Sequence, residues 1–298
     1  MKHRFLLIMM VSVFLIGSCQ PVDLNAPAPV FDTGFNEQSW AFIPAGSFVE
    51  GQFNHPAQID YDYEMMVTDV TNQQYADYLN VALADGTIKQ AGNQIVGYYA
   101  GDEFNEGRHE EQILEGDYLH IPLDNPALRL QMENNQFAAK SDWANHPMTM
   151  VSWFGAQSYC KYYGWRLPTE LEWEKAARGL DDRPFPWGHE LERNNANFTS
   201  SRDPFEDMSS FGSRTSPVGF YNGNTYAGYQ TIDSPSPYGL YDMAGNVWQW
   251  TADIYDQQHY RYMRGGSKDI YPGNLRIWAR NNATPTFVSP AVGFRCVR

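Results

Sequence analysis

Residues 236–250, Ser-Pro-Tyr-Gly-Leu-Tyr-Asp-Met-Ala-Gly-Asn-Val-Trp-Gln-Trp, hold the densest group of side chains able to do chemistry. Asp242, Asn246 and Gln249 bring oxygen ligands close together, and Gly239 and Gly245 permit turns that a side chain would block. Tyr241, Trp248 and Trp250 add apolar surface, giving a rigid knot able to hold a hard cation. A turn running into a buried strand has the same pattern, so the stretch gains weight only from its company elsewhere. Six histidines, His55, His109, His120, His146, His189 and His259, are scattered without ligand spacing and read as surface or core imidazoles. No nucleophile with a recognisable base is found, which leaves hydrolase readings without support.

The elements that must position these groups belong to a chain of 298 residues, suited to one large domain. Apolar residues at 43% are enough for a sizeable core, and 24 Gly with 18 Pro argue for much loop and turn. Lys2, His3 and Arg4 followed by the apolar run Phe5 to Ile16 read as a secretory signal, too short to span a bilayer. Ile16-Gly17-Ser18-Cys19 resembles the bacterial lipobox, which makes Cys19 the lipidated first residue and residues 1–18 a lipoprotein signal peptide. Residues 19–38, rich in Pro, Ala, Asn and Asp, read as a tether. The expected location is the bacterial cell envelope, lipid-anchored, and Gln20 favours the outer membrane by analogy with enteric bacteria. Loss of Lys2 and Arg4 takes the net charge from −14 to −16, which disfavours nucleic acid as a partner. With Cys19 lipidated, Cys160 and Cys296 remain as an even pair in an oxidising compartment.

Along the chain, Trp40 to Val49 reads as strand, turn and strand, and 61–70 as a further strand. Thr71 and Gln74 form a capping box for a helix to about Ala84, with Val70 and Tyr75 as its staple. Residues 85–145 lack strong periodicity and read as a long insertion with short strands such as Gln94 to Tyr99 and Tyr118 to Ile121. A helix of about Trp153 to Tyr163 stops at Gly164, and a second is capped by Thr169 with Glu172 and stopped at Gly179. One domain over 39–298 is the simplest account.

Seven segments, in order, resemble the formylglycine-generating enzyme or sulfatase-modifying factor family. They are Ile43–Phe48, Val67–Tyr75, Val151-Ser152-Trp153, Arg166–Glu174, Gly239–Trp250, Arg264-Gly265-Gly266-Ser267 and Gly293-Phe294-Arg295-Cys296. The resemblance implies an α+β, C-type-lectin-like fold with low regular secondary structure and long loops. It also implies a disulfide between Cys160 and Cys296. Calcium is the implied cofactor, held at the positions of Asp242, Gly245, Val247 and Gln249, where a neutral amide stands for the family's acid. A second site would use Asn197 and Phe198, its acidic partner left open among Asp203, Glu206 and Asp207.

The departure lies after Gly-Gly-Ser. The enzymes that make formylglycine carry there a cysteine pair whose soft thiolates bind copper. Here Lys268 to Leu275 occupies the place and no cysteine lies between 161 and 295, so copper or iron is not expected. Two function classes result. The first is a non-catalytic binding or scaffold lipoprotein of the envelope, with an envelope protein or a small ligand as partner. Its ligand surface would comprise Trp248, Ser267, Lys268, Asp269, Tyr271, Asn274, Arg276 and Arg280. The second is an oxidoreductase of altered chemistry, not converting cysteine to formylglycine.

Overall fold

The computed structural model describes residues 29–102, 113–134, 136–207, 212–255 and 259–298. The expected signal peptide, Cys19 and His109 lie outside the described residues. Strands Trp40–Ile43 and Tyr63–Met66 pair antiparallel, with the hairpin Gly46–Glu50 and His55–Ile59 inserted between them in sequence. Helix α1 spans Asn72–Ala84, α2 Trp153–Tyr162 and α3 Glu170–Arg178. A four-stranded sheet follows in the order Arg280–Ala283, Arg261–Arg264, Trp248–Ile254 and Val292–Gly293, the last strand parallel to its neighbour. Among the described residues, three α-helices, short strands and long connections make this an α+β fold with little regular structure.

Local signals account for the helices. Thr71 accepts from the Gln74 amide while Gln74 accepts from the Thr71 amide, and Thr169 and Glu172 repeat the exchange on α3. Val70 and Tyr75, the two halves of the staple, are fully buried. Gly179 ends α3 at φ +75°, a conformation that disfavours a side chain. Against these caps pack two apolar clusters. The larger joins α1, α2 and the four-stranded sheet through Tyr75, Tyr78, Trp153, Tyr159, Trp250 and Phe294. The smaller joins the N-terminal strands to α3 through Ile43, Phe48, Met65 and Trp173.

Helix α3 also organises charge. Arg264, fully buried, donates to Glu170 at 2.8 Å and to Glu174 at 2.5 Å, and its guanidinium lies over the Trp173 ring. Glu174 holds Arg178 at 2.8 Å as well, while Glu172 takes Arg166 at 2.5 Å. A disulfide joins Cys160 on α2 to Cys296, with Cα atoms 5.7 Å apart, as the family resemblance implies.

One expected boundary changes. The tether expected over 19–38 does not extend through residues 29–38, because these pack on the domain. Phe31 meets Phe205 edge to face and packs tilted against Phe220 and Tyr226, and the Phe35 ring lies 4.5 Å from that of Tyr241. Thr33 donates to Val218, and the Glu37 carboxylate receives the Thr71 hydroxyl at the start of α1. The folded domain therefore begins before Trp40. The insertion carries the short strands expected of it, Gln94–Tyr99 and, within Gly116–Pro122, the one at Tyr118 to Ile121. Ile88–Ala91, Gln94–Tyr99 and Gly116–Pro122 form a three-stranded sheet on α2, and Leu130–Glu133 pairs with Gln136–Ala139 against α1.

Two outcomes test this framework. The Cys160–Cys296 bridge closes a separation of 136 residues, so Cys160→Ser with Cys296→Ser should lower stability by about 4 kcal/mol, a fall of roughly 10 °C in Tm. Arg264→Met takes a buried cation from Glu170 and Glu174, leaving them only Arg280 and Arg178, and should cost about 3 kcal/mol in urea unfolding. An unchanged midpoint in either variant contradicts the account.

Candidate functional site

The loop 236–250 sits where three parts of the chain meet. Asp242, Gly245 and Asn246 all take positive φ, at 57°, 82° and 62°. Gly245 has no alternative, since a Cβ there would lie 2.5 Å from the Asn197 carbonyl oxygen. Three backbone bonds fasten the loop: Asn246 donates to Asn197 at 2.8 Å, Gly245 to Gly265 at 2.9 Å, and Lys268 to Asn246 at 3.0 Å. The Asn246 side chain closes on Ser216 in both directions. The segments flagged at 197–198, 242–249 and 264–268 are thus stapled into one unit.

Within it, Asp242 directs Oδ2 to the Gly219 amide at 2.6 Å, and Oδ1 has no hydrogen-bond partner among the described residues. Asp69, fully buried, lies 3.3 Å from Arg295. Burial pushes the Asp69 carboxyl up to about 8 and the Asp242 carboxyl up to about 6, with Arg295 pulling each back. Two carboxylates therefore face one guanidinium, and ionising both leaves a net negative charge to be met by a proton or a bound cation.

Gln249 is not available as a ligand, contrary to expectation. Its Oε1 accepts from Trp173 Nε1 at 2.7 Å and from Arg295 Nε at 2.9 Å, while its Nε2 donates to the Asp242 carbonyl at 2.7 Å. Both partners of the oxygen are donor-only groups, which fixes the amide orientation and fills the oxygen. A cation here would rest on Asp242 and the carbonyls of Gly245 and Val247. That donor set is all oxygen with one carboxylate, the donor chemistry that a hard cation takes.

The second site is not assembled among the described residues. Asn197 donates to the Arg214 carbonyl at 2.8 Å, and the Phe198 carbonyl accepts from Ser201 at 2.9 Å. Asp203 is filled by Ser201, Phe205 and Tyr221, and Glu206 by the amides of Ser200 and Arg202. Each acid closes its own turn, so neither reaches Asn197 as a free ligand; the Asp207 side chain lies outside the described residues.

The eight residues expected to form one ligand surface do not converge. Trp248 is buried in the core, and Ser267 is buried beside Gly266. Lys268 pairs with its neighbour Asp269 at 2.6 Å. Arg280 turns to Glu170 at 3.2 Å and covers Tyr262. Behind Gly-Gly-Ser the chain packs an apolar plug: Ile270 Cδ1 and Leu275 Cδ2 stand 2.6 and 3.1 Å from where a Gly266 Cβ would be. Tyr271, Asn274 and Arg276 remain exposed on or beside the turn Pro272–Leu275. Arg276 with Pro272 and Gly273 lines an open groove of about 540 Å³, floored by Phe185, Leu191 and Phe198 and rimmed by His189, Glu190, Glu192 and Arg193. Segment 185–193 escaped the sequence reading because its apolar residues follow no helical or strand period.

The comparisons with known proteins fit this geometry. Residues 28–298 match the Sulfatase-modifying factor enzyme 1-like domain. Similar proteins include the formylglycine-generating enzyme of Mus musculus, 31% identical over 85% of this chain and 73% of that protein. The inactive C-alpha-formylglycine-generating enzyme 2 of Bos taurus is 38% identical over 50% of this chain and 49% of its own length. The chain spans less than half the length of the first curated relatives it matches. The structure of PvdO from Pseudomonas aeruginosa shares the fold at 20% identity, with TM-score 0.55 over 92% of this chain and 98% of that one. With a matched domain over nearly its whole length, the chain belongs to the sulfatase-modifying factor family, on the fold of the formylglycine-generating enzymes.

Proposed function

We propose that this protein is a non-catalytic binding or scaffold lipoprotein of the bacterial cell envelope. The observation that carries the reading is the packing behind Gly-Gly-Ser, where Ile270 and Leu275 fill the space against Gly266 and no thiol follows. The remaining cysteine pair, Cys160 and Cys296, is spent in a disulfide, so no thiolate pair is left to bind copper. The open groove beside Arg276 is then a binding surface, with an apolar floor and charges of both signs at its rim. Cys19 supplies the lipid anchor. Charge reversal by Arg276→Glu should release an envelope protein that the wild type retains from detergent-solubilised membranes. Palmitate labelling should mark the wild type and not Cys19→Ala. Stoichiometric copper or iron in the purified protein, with no retained partner, would favour the oxidoreductase reading instead.

Calcium is part of this proposal, held by Asp242 with the carbonyls of Gly245 and Val247. Its role is to offset the carboxylate that Arg295 leaves unmatched. Chelation should lower Tm, and Asp242→Ala should abolish the difference. The pH dependence has a definite sign. A carboxyl whose folded pKa is raised contributes stability below its unfolded value of 3.8, and that stability is lost as pH rises. Chelated protein should therefore lose Tm between about pH 4 and 6 through Asp242, and on to about pH 8 through Asp69. The gain from added calcium should grow over the first interval. A melting curve indifferent to chelator across this range removes calcium from the proposal.

A further inference from the structure

We propose that a second groove, beside the disulfide and remote in role from the Arg276 surface, binds a neutral pyranose oligosaccharide. It measures about 450 Å³, within the usual range for ligand sites, and lies between the N-terminal strands, α1 and the C-terminal end of α2. Its walls are aromatic. The rings of Trp40 and Trp165 meet edge to face at 4.8 Å, Tyr163 stacks on Trp165 at 5.0 Å, and Tyr159 meets Tyr163 at 5.2 Å.

The polar groups of these rings are unused. Neither indole N–H of Trp40 and Trp165, nor the hydroxyl of Tyr159 or Tyr163, has a hydrogen-bond partner among the described residues. Tyr159 is decisive, because its residue is only 3% exposed and it still lines the groove. Burial holds its hydroxyl above the usual phenol range, so it stays a neutral donor. At the rim, Gln38 offers a free amide, and Asp77 has one oxygen engaged by Gln73 at 2.8 Å and the other open.

This combination selects the ligand. With the Trp40 ring already under Arg298, the Tyr163–Trp165 stack is the aromatic surface left to take the apolar C–H face of a sugar ring, while hydroxyls around its edge need donors and acceptors of this kind. A cationic ligand is disfavoured because the Arg298 guanidinium already lies 4.4 Å from the Trp40 ring centre. The walls are also preformed. Cys160, on the same helix as Tyr159, is bridged to Cys296, and the Trp165 amide donates to the Cys160 carbonyl at 2.8 Å. Little order would have to be gained on binding.

Cellohexaose, xylohexaose and chitohexaose titrated into the full chain, read by calorimetry and tryptophan fluorescence, test the proposal. At least one should saturate at millimolar concentration or below and shift the emission. Trp165→Ala should weaken that binding about tenfold, and Tyr163→Phe, which removes one hydroxyl, by about threefold. Arg276→Glu and chelator should leave it unchanged, separating this site from the function proposed above. Absence of saturation by all three sugars overturns the proposal, as does undiminished binding in a natively folded Trp165→Ala. Saturation by choline in place of the sugars overturns it in favour of a cation cage.

Discussion

One buried side chain, Arg295, is the constraint on which the rest of the structure depends. Its Nε meets Gln249, one terminal nitrogen meets the carbonyls of Met66 and Val67, and the other meets the Tyr241 carbonyl at 2.7 Å and Asp69. Five contacts from one planar group tie an N-terminal strand, the 236–250 loop and the last strand of the sheet together. Gln249 carries the tie onward to Trp173 on α3 and back to the Asp242 carbonyl. A charge buried this completely is tolerable only because every neighbour is turned toward it. The loop that looked like a cation knot is therefore first a guanidinium knot, and any metal is an addition to it.

Much of the frame was legible because its causes are local. Thr71 with Gln74, and Thr169 with Glu172, announce helices three residues apart, and both boxes form. Asn80 shows the contrary case. Its amide donates to and accepts from Phe137, 57 residues away, and that pair docks the hairpin 130–139 on α1. No periodicity in 85–145 could reveal it. Gln249 was misread for the same reason: Trp173 and Arg295, which fill its oxygen, lie 76 and 46 residues off. The reading of 19–38 as a tether rests on its Pro, Ala, Asn and Asp content, whereas the fate of 29–38 is decided by Phe31 and Phe35.

The family resemblance located the region after Gly-Gly-Ser and left its shape unstated. Ile270 and Leu275 belong to an apolar cluster with Phe185, Ala196, Phe198 and Ala244, so the segment is fixed from beneath by ordinary packing. Tyr271, 70% exposed, stands between them on the outer side. The same dozen residues therefore seal the interior and present a surface, and substitutions there will divide between stability and binding by which way the side chain turns.

The docking of residues 29–38 has a consequence for how the fold is closed. Phe31 meets Phe205, Phe220 and Tyr226, and Phe35 meets Tyr241, all far along the chain. A segment whose composition marks it as linker thus closes the fold instead of leading up to it.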